Sequence, residues 1–503
     1  MRNLLRKGST PPNLFKKIDF SSFYPILCLC FFVVSGMNLL RKNKIEQDAD
    51  AVTYVPDSGG FMLETISAVL CGCITPVLIC FGGIVLASGI RMTKIMRPRR
   101  FVSALLDSAA ESGTTPFTGL TMALAGTLGV GNITGVATAI VSGGAGAVFW
   151  MWAGALLSMS IKYGEVALAV RYRRAGKGDY YGGAMYYISD GLGRRFPGKS
   201  FVFLGGIFAL LCVVNSLVTG NIVQSNSAVA VIHVLPAPVT GGILAVLVAV
   251  SAAWGVSRIG RITSRLIPAL TGVYMLLSLY IIFTNISYLP EICADIFRCA
   301  FSFRAAAGGA AGMAVRYGVT RGIFSNEAGC GTSPTAHASA HTKSPFHQGC
   351  FGIFEVAADT LILCSMTAFV LLTADKKYGI LTDMGEGAPL TLEAFSLLTG
   401  EWVYGVLAVS VLLFAYATIL AQLYYGFIAI GYLTKARLPR MAYLAVSVCC
   451  TFLGAVIHVD IMWALADFVV CGMTVINIVV LLLLRKEIYA TARETAEETK
   501  KAA

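Results

Sequence analysis

The chain has 503 residues, of which 56% are hydrophobic and 13% charged. Soluble domains carry about a quarter charged residues, and no soluble core hides so much apolar surface, so lipid is part of the solvent. The net charge of +12 does not require nucleic acid as a partner, because the Lys and Arg sit in short connections where membrane topology accounts for them.

A membrane-crossing helix needs about 20 apolar residues. In chain order, apolar runs lie near 23–40, 66–90, 115–141, 145–170, 201–233, 240–257, 266–288, 305–330, 350–373, 403–432, 441–457 and 461–484. They predict about twelve spans and an all-α, polytopic membrane protein. The first run is flanked by Arg2, Arg6, Lys7, Lys16 and Lys17 before it and Arg41, Lys42 and Lys44 after it. It reads as a signal peptide, a signal anchor or an ordinary helix, and the lack of a small-residue cleavage site favours a retained helix. The organisation is then an N-terminal extension over 1–65, a transporter domain over 66–484 and a tail over 485–503.

Basic residues recur in alternate loops: Arg91 to Arg100 after the second run, Arg171 to Lys199 after the fourth, Arg258 to Arg265 after the sixth, Lys435 to Arg440 after the tenth, and Arg485 with Lys486 after the last. All fall on one side, expected to be the cytoplasm, with the C-terminus there as well. The opposite loop near 374–402 is acidic. The tail mixes Glu, Lys and Ala and is expected to be a solvated helix or a frayed end. The expected location is the cell (plasma or inner) membrane.

Most of the 14 cysteines lie in apolar runs, among them Cys71, Cys73, Cys212, Cys364 and Cys471, and read as small buried hydrophobes. Cys71-x-Cys73 and Cys449-Cys450 have no neighbouring His for zinc. Cys293 and Cys299 share a polar loop, where they are either free or paired.

Two runs are not built like ordinary helices. One contains Gly126-Thr127-Leu128-Gly129-Val130-Gly131-Asn132; the other contains Arg321-Gly322-Ile323-Phe324-Ser325-Asn326-Glu327-Ala328-Gly329-Cys330-Gly331. Glycine and Asn are poor helix formers, and unwound backbone at membrane depth is tolerated only where it is buried in protein or lines a cavity. A broken helix offers free N–H groups to a carboxylate and free carbonyls to a cation. The breaks fall in the first and sixth of the ten runs from 115 onward, which predicts two repeats of five helices, about 115–288 and 305–484, the second inverted. Close helix packing explains Gly143, Gly144 and Gly146 and the Gly308-Gly309 pair, but not Asn132, Asn326 and Glu327. The glycine string lacks the Gly-Lys-Ser/Thr ending and the preceding strand of a phosphate loop. His337 and His341 are expected in a loop or helix cap, and no enzyme constellation is present.

At these residues the chain resembles the alanine/glycine:cation symporter family. The resemblance rests on Ala123 to Ala139, Gly146 to Trp152, Gly182 to Tyr187, Gly220 to Asn226, Tyr317 to Gly329, Ala336 to Ala338, Asp359-Thr360, and Phe414 to Tyr425, and it covers about 66–484. It implies a LeuT-type 5+5 inverted-repeat bundle with the first and sixth core helices broken, plus one or two extra N-terminal helices. It also implies import of a small neutral amino acid by sodium symport through alternating access. The implied substrate contacts are the backbone near Thr127 and Gly129, the side chains of Asn132 and Gln224, and Phe324, Ser325 and Asn326. Gln224 also fits an interhelical hydrogen bond, and Phe324 also fits core packing. Glu327 is expected to hold its break open by accepting backbone N–H bonds. Glu355 and Asp359 are intramembrane acids, which fit a functional role or, equally, a salt bridge or backbone contact.

The family usually carries Ser-Thr and then Ile-Leu-Gly-Trp in the eighth core helix. Here the stretch is Ala417-Thr418-Ile419-Leu420-Ala421-Gln422. The implied sodium site, near Thr127, Leu128 and Thr418, loses one hydroxyl at Ala417, which leaves Na+ against proton coupling open. Gln422 stands where the family's Trp lines the pocket, which predicts a larger or more polar substrate, such as glutamine. A proton-coupled or exchanging carrier and a non-transporting sensor are the alternatives. The expected partners are the amino acid and the bilayer; the oligomeric state is left open, a monomer being one possibility.

Overall fold

The computed structural model describes residues 66–501 apart from 68, 107–113, 177–179, 233, 256–257, 302–309, 343, 384–386 and 458–459. The run at 23–40 lies outside the described residues. The other eleven runs all become helices. In chain order they are α1 (Leu70–Ile90), the bent pair α2 (Pro116–Thr127) and α3 (Gly131–Gly143), α4 (Gly146–Arg171), α5 (Val202–Val229), α6 (Ala237–Ala253) and α7 (Ile259–Thr284). After a short α8 (Leu289–Ala300) come α9 (Ala310–Asn326), α10 (Pro334–Ala338), α11 (Pro345–Tyr378), α12 (Ala388–Thr399), α13 (Trp402–Leu433), α14 (Arg437–Val456), α15 (Asp460–Leu483) and α16 (Arg485–Lys501). Eight of these are long and apolar enough to cross a membrane as single helices, and the bent pair makes a ninth span.

Local chemistry sets several boundaries. Thr115 accepts the backbone N–H of Thr118 at 3.1 Å and Pro116 occupies the first turn, so α2 starts there. Ser344 and Pro345 start α11 in the same way, and Gly379, at φ 67°, ends it in the left-handed region.

Burial separates core from periphery. The apolar window of α4 is 83% buried and that of α7 only 28%, so α4 is the central post and α7 faces lipid. α4 packs against α1, α9 and α11, while α7 and α13 both pack against α2. A side chain at Gly318 would strike the Ala147 carbonyl, so glycine there lets α9 lie directly on α4.

Four expectations are corrected here. Cys71 and Cys471 are not separate buried thiols: they form a disulfide across Cα atoms 5.7 Å apart, tying α1 to α15. Cys293 and Cys299 are free, on α8 rather than in a loop. The stretch 374–402 is more than an acidic loop, since α12 inserts buried Leu390, Thr391 and Phe395 against α11 and α13. The tail is neither solvated nor frayed where it begins. Tyr489 donates to the Val85 carbonyl at 3.0 Å, Thr491 meets the Tyr163 hydroxyl at 3.2 Å, and Tyr172 donates to Glu487 at 2.7 Å, docking α16 on α1 and α4.

Candidate functional site: two helix breaks and a cavity

The first break occupies Leu128–Val130, between α2 and α3, whose axes differ by 51°. It frees backbone groups that must find partners, and side chains from two other helices supply them. The Val130 N–H donates to Gln224 Oε1 on α5 at 3.3 Å, and the Thr418 hydroxyl on α13 donates to the Ala125 carbonyl at 2.8 Å. Gly129 sits between them: a Cβ there would lie 2.5 Å from Thr418 Oγ1 and 3.2 Å from Gln224 Oε1.

The second break occupies Glu327–Ser333, between α9 and α10. Helix α9 continues through Asn326, so Arg321 to Asn326 are helical and the interruption starts about five residues later than the glycine pattern suggests. Asn326 Oδ1 caps the turn by accepting the Ala328 N–H at 2.9 Å. Glu327, Gly329 and Gly331 then take left-handed conformations, at φ 49°, 92° and 75°. The loop is gripped from outside: Glu165 Oε1 on α4 accepts the Gly331 N–H at 2.9 Å, and Asn477 on α15 donates to the Gly329 carbonyl at 2.8 Å.

The helix ends beside the two breaks meet. A Cβ on Gly131 would lie 3.6 Å from Ser325 Cα. Asp359 on α11 clasps both, accepting Asn132 Nδ2 at 2.7 Å and the Ser325 hydroxyl at 2.8 Å, with the Thr360 hydroxyl at 2.7 Å. Beside this junction opens a cavity of about 200 Å³ lined by Val130, Gly131, Gln224, Arg321, Phe324 and Trp463, among others. At its wall the Phe324 and Trp463 rings lie 5.8 Å apart, and Arg321 pairs with Asp467 at 3.7 Å.

Comparison with known proteins decides what this arrangement belongs to. The profile of the sodium:alanine symporter family matches residues 58–503. The chain belongs to the sodium:alanine symporter family. It is 38% identical over 386 residues to the sodium/alanine symporter AgcS of Methanococcus maripaludis, covering 75% of this chain and 83% of that protein. It is 33% identical over 430 residues to the probable sodium/glutamine symporter GlnT of Bacillus subtilis, covering 84% and 88%. A putative sodium/proton-dependent alanine carrier of the same bacterium, YrbD, is 37% identical over 433 residues, covering 82% and 88%. The protein is thus a transporter and not an enzyme, a symporter of small amino acids with sodium as coupling ion.

The symporter distributes its sequence-predicted residues unevenly. Gln224 and Phe324 line the cavity, and Gly129 lies behind it. Asn132, Ser325 and Asn326 point into the Asp359–Thr360 cluster, Asn326 donating to Thr360 at 3.1 Å; Asn132 Oδ1 is left without a partner. The Thr127 hydroxyl folds back on its own helix, 3.4 Å from the carbonyls of Ala123 and Leu124. Of the three residues expected to hold sodium, Thr418 brings its hydroxyl to the Ala125 carbonyl beside the break, while Thr127 turns its hydroxyl to its own helix.

Gln422 does not line the described cavity. It is buried, donates to Glu327 Oε1 at 2.6 Å and accepts from Asn215 at 3.4 Å. Glu327 likewise differs from expectation: it receives side chains, Gln422 and Thr332 (2.5 Å), rather than backbone N–H groups. The role expected of it falls to Glu165. Truncating Gln422 to Ala leaves a buried carboxylate oxygen unpaired, which costs about 1–3 kcal/mol. A lower melting temperature with sodium binding retained is the expected result, measured by thermal unfolding in detergent with and without sodium.

Sequence reasoning missed Lys162, Glu165 and Asn477. Lys162 Nζ lies 2.7 Å from Ser333 Oγ and 3.4 Å from Glu355 Oε1, all fully buried. His337, expected in a loop or helix cap, sits in the last turn of α10, with Nε2 2.9 Å from Glu355 Oε2 and Nδ1 2.8 Å from Gln348 Nε2. The signal was present: Lys162 and Glu165 interrupt an otherwise apolar span, which marks an intramembrane ionisable pair.

Proposed function

We propose that this symporter imports a small neutral amino acid by alternating access, within a LeuT-type 5+5 inverted-repeat bundle. The amino acid sits at the junction of the two helix breaks, and sodium binds between the first break and α13. The observation that carries this reading is the meeting of the helix ends beside the breaks, Gly131 against Ser325, next to a cavity of about 200 Å³. In such a junction, free N–H ends face a carboxylate and free carbonyls face cations. Asn132 Oδ1, buried and unpaired, is an acceptor suited to the substrate ammonium. Phe324 covers the solute from the cavity side. A cavity of this size and the names of AgcS and GlnT support alanine and glutamine as the first substrates to try, with glycine beside them.

Sodium is assigned to the oxygens of Thr127, Leu128 and Thr418. With Ala in place of a second hydroxyl at 417, Thr418 is the one side-chain ligand in that set. Substituting Thr418 by Val, which keeps shape and removes the oxygen, is expected to raise the sodium concentration for half-maximal uptake about ten-fold or more. Proteoliposome uptake of each of the twenty amino acids, with and without a sodium gradient at fixed pH, tests the whole reading. Uptake of none of them, or an unchanged sodium requirement in Thr418→Val, would remove it. The charge pattern supports a cytoplasmic C-terminus, in keeping with a carrier of the plasma or inner membrane.

A further inference from the structure

A second, larger cavity lies away from the helix breaks, in a groove between α7 and α13. It measures about 600 Å³ and is lined by Trp254, Arg258, Arg261, Ile262, Arg265, Leu266, Ala269, Leu413 and Tyr416. Its two halves differ in chemistry. Arg258, Arg261 and Arg265 follow one another at intervals of three and four, so they share one face at the start of α7. None of their guanidinium groups has a carboxylate or hydrogen-bond partner among the described residues. The free N–H groups of the α7 N-terminus lie at the same end and also favour an anion. Beyond them the lining turns apolar through Ile262, Leu266, Ala269 and Leu413.

We infer that this groove binds an anionic phospholipid, with its phosphate against Arg258, Arg261 and Arg265 and an acyl chain along Ile262, Leu266 and Ala269. Three features favour lipid over a soluble anion or a protein partner. The apolar half runs along α7, the most lipid-facing of the long helices together with α14. Trp254, 60% exposed, stands beside the arginines as aromatic residues do at a bilayer interface. Basic pockets between membrane helices hold acidic head groups, and the leaflet supplying them is the one the charge pattern makes cytoplasmic. The site also reaches the transport machinery. Tyr416, held to Ser251 at 2.6 Å, is two residues from Thr418 on α13. A lipid in the groove therefore touches the helix that contributes to the proposed sodium site.

The test is lipid retention. Full-length protein is reconstituted in vesicles of phosphatidylcholine with a minority of phosphatidylglycerol, extracted in mild detergent and weighed intact by native mass spectrometry. Wild type is expected to retain phosphatidylglycerol in preference to phosphatidylcholine. Arg261→Gln is expected to lower that retention about five-fold, and each further arginine removed a similar factor. Ala269→Trp leaves every charge in place but fills the acyl channel, and it is expected to lower retention to a like degree. Arg437→Gln, a basic residue outside the groove, is expected to change nothing, and millimolar inorganic phosphate should displace no lipid. Unchanged retention in Arg261→Gln overturns the proposal, and so does an equal loss in Arg437→Gln, which would mean diffuse charge attraction. Displacement by inorganic phosphate with Ala269→Trp unaffected also overturns it, because the groove would then take a soluble anion. Melting temperatures are recorded for each variant, and the conservative Arg261→Lys should recover most of the retention.

Discussion

Replacing Lys162 by Met is expected to lower the melting temperature more than any other single change to this symporter. The lysine is fully buried, as are Glu355 and His337 beside it. Removing one partner of a buried ion pair leaves the other charge uncompensated, at a cost of about 3–5 kcal/mol. The loss here is compounded, because Lys162 also donates to Ser333 at the end of the second break. The companion variant separates the causes. Lys162→Met with Glu355→Gln removes both charges at once, and it should recover more than half of the lost stability, because the desolvation penalty disappears with the charge. Thermal unfolding in one detergent, for wild type, both single variants and the pair, gives the coupling directly. Additive losses in the pair would mean that the two groups do not sense one another.

Gly129→Ala is expected to have the largest effect on transport. No left-handed conformation is involved, since Gly129 is absent from the positive-φ residues; the constraint is purely one of space. An added methyl group meets Thr418 Oγ1 at 2.5 Å and Gln224 Oε1 at 3.2 Å. Those atoms are the ones that satisfy the break, holding Ala125 O and Val130 N. Overpacking of this kind costs about 1–3 kcal/mol, a factor of about 5 to 150 in an equilibrium, and it falls on the geometry of the break itself. Sodium-driven uptake should fall to near background while the protein remains folded. Adding Thr418→Ala removes the obstructing oxygen. The double variant should regain thermal stability and amino-acid binding, measured by calorimetry, but not the dependence of that binding on sodium. Wild-type uptake by Gly129→Ala would show that α13 does not approach the break this closely.

The helices were legible because each is a long apolar run, and their order needed only hydropathy; their number was overcounted, since nine of the eleven described runs are long and apolar enough to be spans. The first break was legible because three glycines and an Asn crowd into a few residues. The second was displaced in the reading. Gly322 serves helix packing rather than interruption, lying against Met151, and only Gly329 and Gly331 serve the turn. Pairings between distant elements were not legible. Nothing in the sequence ties Glu165 to Gly331 or Asn477 to Gly329, because those contacts exist only once α4, α15 and the break are brought together. Gln422 shows the same limit: comparison with the family pointed it at the solute, but in the folded chain a carboxylate five residues before Thr332 captures its amide. Cys71 and Cys471, 400 positions apart in the sequence, are a further instance.

That covalent tie restricts how the cavity beside the breaks can change shape. Trp463 and Asp467 lie on α15, two turns and one turn before the bonded Cys471, and α1 is held by the same bond. These two helices must therefore travel as a unit. Under the proposed alternating access, separation of the Phe324–Trp463 and Arg321–Asp467 pairs would fall to α9 moving against a stapled wall, and a reducing agent would loosen the wall without touching either break.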